Sequence, residues 1–235
     1  MQENIKINNS LERLKSFIEG EAYKGFDPYD ALKSPLFNLP VLNNARSFRF
    51  LFQQLLKRLP FNIRTLLSIK KGYNPVTLGL SIQAYAYLFQ SENNKRNYYL
   101  EKIDFLVGEL KKLVPESYHG ACWGYDFDWE ARDASIPAFQ PTVVATGIIS
   151  NALFIAHIIT GHKTSANLVK SAADFVTMDL NRTYKGKYLC FSYSPFDNQQ
   201  VFNASLKGAR ILAQAYSLEQ KMDLKNIAIQ ALNFV

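Results

Sequence analysis

The segment NPVTLGLSIQAYAYL (74–88) is repeated in outline by TVVATGIISNALFIA (142–156) and by NASLKGARILAQAYS (203–217). Each copy opens with Asn or Thr, which are good helix caps, and continues with small and apolar residues. Each copy also has a glycine inside its second turn. A glycine in the middle of a helix costs about 1 kcal/mol relative to alanine. Its recurrence therefore predicts inner helices that pack closely against their neighbours.

A more charged, amphipathic stretch follows each copy, at about 95–113, 164–178 and 221–235. The repeating unit is thus an inner helix followed by an outer helix. Strands do not alternate with helices, so a parallel sheet is not expected, although a short strand pair can form around Lys187–Tyr193. The sequence predicts an all-α protein of helical hairpins with short β-hairpins in its loops.

Aromatic turns precede two of the inner helices, WGY (123–125) before the second and FSY (191–193) before the third. In this arrangement an aromatic turn precedes an inner helix, and an outer helix follows it in the opposite direction. The arrangement resembles that of the α/α-toroid proteins, which include six-hairpin glycosidases and terpenoid cyclases. The segments YKGFDPYDALKSP (23–35), CWGYDFDW (122–129) and FSYSPFDNQQVFNASLKGARILA (191–213) also resemble bacterial proteins of surface-polysaccharide gene clusters. The resemblance implies an α/α-toroid whose central cavity is lined by the starts of the inner helices and the loops before them.

A single domain over residues 1–235 is expected, with N-terminal helices and a loop in 1–70 and the hairpin repeats in 71–235. The last predicted helix has no stop signal before Val235. Arrays of helical hairpins need further units to cover their ends. We therefore expect an incomplete toroid that continues beyond this chain.

Two helices are predicted in the N-terminal part, one from Ser10, as its cap, to Gly20, and one over 44–59. Apolar residues of the second helix share one face, which is expected to point into the core, with basic residues opposite. The alternative is that this basic amphipathic helix lies on a membrane surface. The apolar positions are Phe48, Leu51, Phe52, Leu55, Leu56 and Leu59.

Positive charge is concentrated in one stretch of the sequence. The net charge is +7, and no acidic residue occurs between Asp30 and Glu92, where eight lysines and arginines lie. A region of one sign attracts anions, so a glycan or another anionic small molecule is an expected partner. The alternative is an ordinary solvated face that pairs with an acidic segment elsewhere.

Length and composition exclude several classes of protein. A chain of 235 residues that is 48% hydrophobic can bury a core. No apolar run is expected to reach the length of about 18 residues that a membrane span needs, and the N-terminus has no apolar signal-peptide region. Two distant cysteines, Cys122 and Cys190, do not form a disulfide scaffold, which favours a cytoplasmic location. No zinc spacing, cofactor fingerprint or nucleic-acid motif occurs, so no metal, cofactor or nucleic acid is expected.

The loop 119–133 is the leading candidate site, because the toroid resemblance places it at the cavity. Carboxylates in a pocket can act as general acid and base, and a nearby histidine can act as a base. The alternative is that they are turn formers and caps. The candidate catalytic residues are Asp126, Asp128, Glu130, Asp133 and His119.

Aromatic and polar residues around this loop are the candidate substrate-binding groups. Trp and Tyr offer a flat apolar area with a polar edge, which suits a sugar ring, although the same residues can simply be core. An arginine can bind a carboxylate through two hydrogen bonds. The candidates are Trp123, Tyr125, Trp129, Arg132, Tyr193, Asp197 and Asn203.

Three functions follow from these observations. The first is a carbohydrate-active or carbohydrate-binding protein linked to bacterial surface polysaccharide, on the basis of the resemblance. The second is an isoprenoid-type cyclase or transferase, in which the Asp-x-Asp of 126–128 handles a diphosphate. The third is a non-catalytic helical scaffold. The residues alone do not decide between an enzyme and a binding protein.

Overall fold

The computed structural model describes residues 2–131 and 134–235. These residues form mainly α-helices, with two small antiparallel sheets, which confirms the all-α prediction. The chain divides into two compact units, and the second begins at Pro75, close to the start predicted for the hairpin repeats. The segment Asp126–Ala138, however, belongs to the first unit, which the sequence did not predict.

The first unit contains the described residues up to Asn74 and those of Asp126–Ala138. Its helices are α1 (Gln2–Gly20), α2 (Pro40–Asn43) and α3 (Arg46–Arg58), with two 3-10 turns at Asp30–Lys33 and Pro35–Asn38. Strands β1 (Trp129–Glu130) and β2 (Ser135–Ile136) pair antiparallel. The apolar core is small, with Ala31, Leu56 and Ile69 buried at its centre.

Helix α1 starts well before the predicted residue, Ser10. The Ser10 hydroxyl donates to the Lys6 carbonyl oxygen at 2.9 Å, one turn earlier in the same helix. A serine inside a helix can bond backward in this way instead of capping it. The predicted cap at Ser10 is therefore wrong, while the predicted end at Gly20 is confirmed.

The second unit contains the helical hairpins. Its helices are α4 (Pro75–Ser91), α5 (Arg96–Lys112), α6 (Val143–Thr160), α7 (Lys163–Met178), α8 (Phe202–Glu219) and α9 (Met222–Leu232). Helix α6 packs against both α4 and α8, while α5, α7 and α9 each pack against the inner helix that precedes them. Strands β3 (Arg182–Lys185) and β4 (Tyr188–Phe191) form the expected hairpin between α7 and α8. The predicted inner and outer helices are thus confirmed.

Two of the repeated glycines lie where inner helices cross. A methyl group at Gly79 of α4 would lie 3.2 Å from Ile149 Cα of α6, and one at Gly147 of α6 would lie 2.8 Å from Lys207 Cβ of α8. Both distances are shorter than ordinary van der Waals contact, so these crossings depend on glycine. Gly208 instead faces Phe191, Val143 and Val176.

The two helix starts next to the aromatic turns differ. The Thr142 hydroxyl oxygen accepts the Ala145 N–H at 3.1 Å, so the predicted cap of α6 is confirmed. Helix α8 begins at Phe202 after Val201, which gives no side-chain cap. Asn203 therefore lies inside the first turn and is not the cap that the repeat predicted.

Helix α6 corrects the expectation that no segment is long and apolar enough to cross a membrane. Its 18 residues have a mean hydropathy of 1.9, which meets that requirement by length and composition. Half of the helix is nevertheless buried inside the protein, against α4, α7 and α8. A central helix surrounded by others is apolar on most sides for that reason.

Candidate functional site

The acidic loop and the basic stretch, treated as separate features in the sequence, pair with each other in the first unit. Lys33 Nζ lies 2.8 Å from Asp126 Oδ2, and both side chains are largely buried. Gly72 packs against this pair, because a methyl group there would lie only 2.3 Å from the same carboxylate oxygen. The first of the predicted catalytic carboxylates is therefore held in an ion pair.

Arg49 of α3 binds the other two described carboxylates of the loop. Its Nε donates to Glu130 Oε2 at 3.1 Å and its Nη2 to Asp128 Oδ2 at 3.3 Å, while Nη1 donates to the Asn43 side chain. Glu130 is 1% exposed and Arg49 is 8% exposed. A buried arginine and a buried glutamate are tolerated in a protein interior when each satisfies the other.

Further donors complete the shell around Glu130. Arg46 Nε donates to Oε1 at 2.8 Å, and the Ser135 hydroxyl donates to Oε2 at 3.0 Å. The Glu130 backbone N–H donates to Gln53 Oε1 at 3.1 Å. We call Arg46, Arg49, Asp128 and Glu130 the ion-pair cluster.

The cluster reverses the predicted orientation of α3. Arg49 and Gln53, expected in solvent, are buried, whereas Phe48, Leu51 and Leu55, expected in the core, are exposed. The reason is electrostatic: buried Glu130 needs cationic partners, and α3 supplies them from its polar face. The prediction is therefore wrong for these three apolar residues and for exposed Leu59, while it is confirmed for Leu56, which is buried, and for Phe52, which packs against the core.

These contacts define what the loop carboxylates do in this structure. Asp126, Asp128 and Glu130 each accept from lysine or arginine, and Asp128 Oδ1 also accepts the Ala138 N–H at 2.8 Å. These contacts give all three carboxylates a structural role in the first unit. Their roles in acid–base catalysis stay a prediction, and Arg132 and Asp133 lie outside the described residues.

His119, the predicted base, lies in the second unit and pairs with a residue that the sequence analysis did not single out. Its Nδ1 is 2.7 Å from Asp179 Oδ1, and its backbone N–H donates to Asp179 Oδ2 at 3.0 Å. Nearby, burial and the Asp179 charge raise the pKa of the Cys122 thiol to about 12. Cys122 is thus a buried neutral thiol.

The two tryptophans belong to different units. Trp123 is completely buried, and its indole N–H donates to the Leu110 carbonyl oxygen at 3.0 Å. It is a core residue of the second unit, which favours the alternative that Trp123 is simply core, and its sugar-binding role stays a prediction. Trp129 is half-buried on β1 of the first unit.

The two aromatic turns converge on the start of α6. The Thr142 N–H donates to the Trp123 carbonyl oxygen at 3.2 Å, and the next N–H, of Val143, donates to the Tyr193 carbonyl oxygen at 2.9 Å. Burial, then the proximity of Tyr125 and of Asp197, raise the pKa of Tyr193 to about 12. Two of the predicted sugar-binding residues, Tyr125 and Tyr193, therefore lie close together, and Tyr193 is a neutral phenol.

Asp197, another predicted binding residue, closes its own loop. Oδ1 accepts the Tyr193 and Gln199 backbone N–H groups, and Oδ2 accepts the Ser194 N–H and hydroxyl at 2.8 and 2.6 Å. This arrangement orders the turn that presents Tyr193. Asn203 is exposed.

Two cations on α8 contact the first two turns of α6, where the Tyr193 turn also binds, and were not predicted. Lys207 packs its Cβ over Gly147, and Arg210 Nη2 donates to the Gly147 carbonyl oxygen at 2.7 Å. The Tyr193 carbonyl oxygen binds the Val143 N–H, one turn of α6 before Gly147, so the turn and the two cations contact the same end of this helix. We call Tyr125, Tyr193, Lys207 and Arg210 the tyrosine–cation cluster.

Burial lowers the pKa of both cations, and for Lys207 the charge of Arg210 lowers it further. Among the described residues, no carboxylate forms an ion pair with either side chain. Arg210 also borders an apolar groove of about 490 Å³ between α8 and α9. This cluster therefore holds positive charge that no described carboxylate neutralises.

Comparison with known proteins yields one structural similarity. No protein-family model matches the chain, and no curated protein sequence is significantly similar to it. A solved structure that resembles it is an inactive variant of the α-1,6-mannanase GH76A of Salegentibacter sp. HEL1_6 in complex with α-1,6-mannotriose. The match has a TM-score of 0.44 and 11% sequence identity, and covers 88% of this chain and 59% of that one. Similarity at this level supports no inference about residues or activity.

The sequence contained a signal for the two missed cations. Lys207 and Arg210 flank the repeated glycine, Gly208, of the third inner helix, where the other copies have uncharged residues. No group of three His, Cys, Asp or Glu side chains that could hold a metal ion occurs in the part of the chain that the structure describes.

Proposed function

We propose that this chain is a glycan-binding protein that takes an anionic sugar at the tyrosine–cation cluster. One observation carries the proposal: half-buried Lys207 and exposed Arg210 contact Gly147, one turn along α6 from the Val143 N–H that binds Tyr193, and no described carboxylate pairs with either cation. Positive charge that no carboxylate neutralises attracts anions, and the partial burial of Lys207 strengthens that attraction.

The chemistry of the cluster suits a sugar acid. A guanidinium binds a carboxylate through two parallel hydrogen bonds, and a lysine adds a point charge. Tyrosine rings cover the apolar face of a sugar ring. Because its pKa is raised to about 12, Tyr193 keeps its proton and can donate to a ligand oxygen at neutral pH.

The hydrogen bonds that already engage the nearby carboxylate favour binding of a glycan over its hydrolysis. Glycoside hydrolysis uses two carboxyl groups on either side of the scissile bond. In the described cluster region, Asp197 is fully engaged by its own loop. The surface-polysaccharide resemblance adds a source for the ligand, since uronic acids belong to the anionic glycans that it implies. The cytoplasmic location also stays a prediction.

Calorimetric titration with a galacturonate trisaccharide, compared with neutral maltotriose, tests this proposal. Lys207→Gln and Arg210→Gln should each weaken galacturonate binding by about 10- to 100-fold, the loss expected for one charge-assisted hydrogen bond. Lys111→Gln, on the exposed side of α5, is the matched control and should bind like the parent chain. No binding of the charged trisaccharide, or equal binding by the double variant, overturns the proposal.

Prenyl diphosphate with magnesium is the competing ligand in the same titration. The apolar groove beside Arg210 favours it, but the Asp-x-Asp motif is occupied, since Asp126 binds Lys33 and Asp128 binds Arg49. Magnesium-dependent binding of the diphosphate alone would favour the isoprenoid function. If neither ligand binds a folded sample, the scaffold function is favoured.

A further inference from the structure

Helix α3 displays its apolar stripe to solvent. Phe48, Leu51 and Leu55 recur at the spacing of one helix face, and Leu51 and Leu55 are 54% and 56% exposed. Monomeric proteins rarely expose a contiguous stripe of this kind without a use for it.

The ion-pair cluster holds the helix in this orientation. Arg49 and Gln53, on the opposite face, are bound to Glu130 through side-chain and backbone contacts. Turning the stripe inward would separate these buried partners, and breaking a buried ion pair costs about 3–5 kcal/mol. The exposed stripe is therefore a fixed feature of the first unit.

The residues before α3 extend the exposed apolar surface. The Phe37 ring lies 5.3 Å from the Phe52 ring and 6.1 Å from the Phe48 ring, between centroids, which joins the second 3-10 turn to α3. Directly after this turn, Leu39 and Val41 are exposed, Val41 by 81%.

Part of the positive charge of the first unit that forms no ion pair lies on α3 and in the segment after it. Five of the eight basic residues between Asp30 and Glu92 form ion pairs: Lys33, Arg46, Arg49, Arg64 and Lys71. The other three, Lys57, Arg58 and Lys70, are exposed and pair with no carboxylate in the described residues. Arg58 follows Leu55 by three residues and so flanks the stripe.

We propose that α3 and the turn before it dock on an anionic lipid surface. Leucine and phenylalanine side chains can enter the boundary between headgroups and acyl chains, while flanking lysines and arginines reach the anionic headgroups. A second copy of the chain fits less well, because a symmetric contact through this face would bring the same positive charges together.

Co-flotation with phosphatidylcholine vesicles, with and without phosphatidylglycerol, tests the docking. The chain should bind the anionic vesicles. Arg58→Gln with Lys70→Gln should weaken that binding by about 30-fold, and Leu51→Asn with Leu55→Asn by about tenfold or more. The matched control is Ile158→Asn, which changes an apolar side chain that is 62% exposed on α6 and should leave binding unchanged.

Several outcomes would overturn the docking. They are the absence of vesicle binding, equal binding to neutral vesicles, and an equal loss of binding in Ile158→Asn. Sedimentation equilibrium of the same variants tests whether a second copy of the chain binds this face instead. A dimer that dissociates in Leu51→Asn with Leu55→Asn, without any vesicle binding, would assign the face to a second copy. Circular dichroism of each variant verifies folding, which exposed positions should leave intact.

Discussion

Glu130 illustrates how one side chain determines the chemistry of its surroundings. It is almost completely buried and accepts from Arg46, Arg49 and Ser135. These donors neutralise its charge and satisfy both oxygens, which a buried carboxylate requires. The same contacts engage both oxygens that a general acid or base would use. A structural role therefore accounts for the burial and the hydrogen bonds of Glu130 without a catalytic role.

Replacing Glu130 by glutamine should therefore destabilise the fold. The substitution removes the charge opposite buried Arg49, and breaking a buried pair in this way costs about 3–5 kcal/mol. The free energy of unfolding, measured by urea denaturation, should fall by about 3 kcal/mol or more, since Arg46 is partly exposed and can find water.

Glu109→Gln is the matched control for this prediction. Glu109 pairs with exposed Lys112 on the surface of α5, so its loss should change stability by about 0.5 kcal/mol or less. If Glu130→Gln were as mild as the control, Glu130 would not be a structural residue, and its catalytic role would regain support.

Among the helices and strands, the inner helices were predicted correctly from the repeated glycines. These glycines predicted α4, α6 and α8 as inner helices, and two of them lie at crossings between these helices. The prediction for α3 was wrong for Phe48, Leu51 and Leu55, and the reason is physical. A period of 3.6 residues shows which side chains share a face, but the partner that decides which face is buried, Glu130, lies some 80 residues further along the chain.

The crossing at Gly147 gives a test of this packing. In an exposed helix, alanine in place of glycine stabilises by about 1 kcal/mol. At Gly147 the added methyl group would lie 2.8 Å from Lys207 Cβ, so Gly147→Ala should instead destabilise by about 1–3 kcal/mol through overpacking.

Gly108→Ala on α5 is the internal comparison, because nothing lies within 4 Å of a methyl group there. Thermal unfolding should show Gly108→Ala above the parent chain in stability and Gly147→Ala below it. Two stabilising substitutions would mean that the inner helices are not held at this distance.

At the scale of the whole molecule, the two units derive their stability from different sources. The second unit buries a large cluster of apolar residues from α6, α7, α8 and α9. The first unit buries only a few apolar side chains and relies on the ion-pair cluster. The sequence predicted the hairpins well because their information is local and repeated. The cluster joins segments far apart, with no local signal of which charges would meet.

Amide hydrogen exchange of two variants should separate these sources. Glu130→Gln removes an interaction of the first unit, so exchange in α3 and in the loop from Asp126 should accelerate by about 100-fold, the equivalent of about 3 kcal/mol, while α6 and α8 keep the parent rates. Gly147→Ala should produce the reverse pattern, because its overpacking lies between α6 and α8. Equal acceleration of every helix in both variants would show that the chain unfolds as one cooperative body. In that event the ion-pair cluster would also support the hairpins, and a substitution on α3 could alter glycan binding without touching the tyrosine–cation cluster.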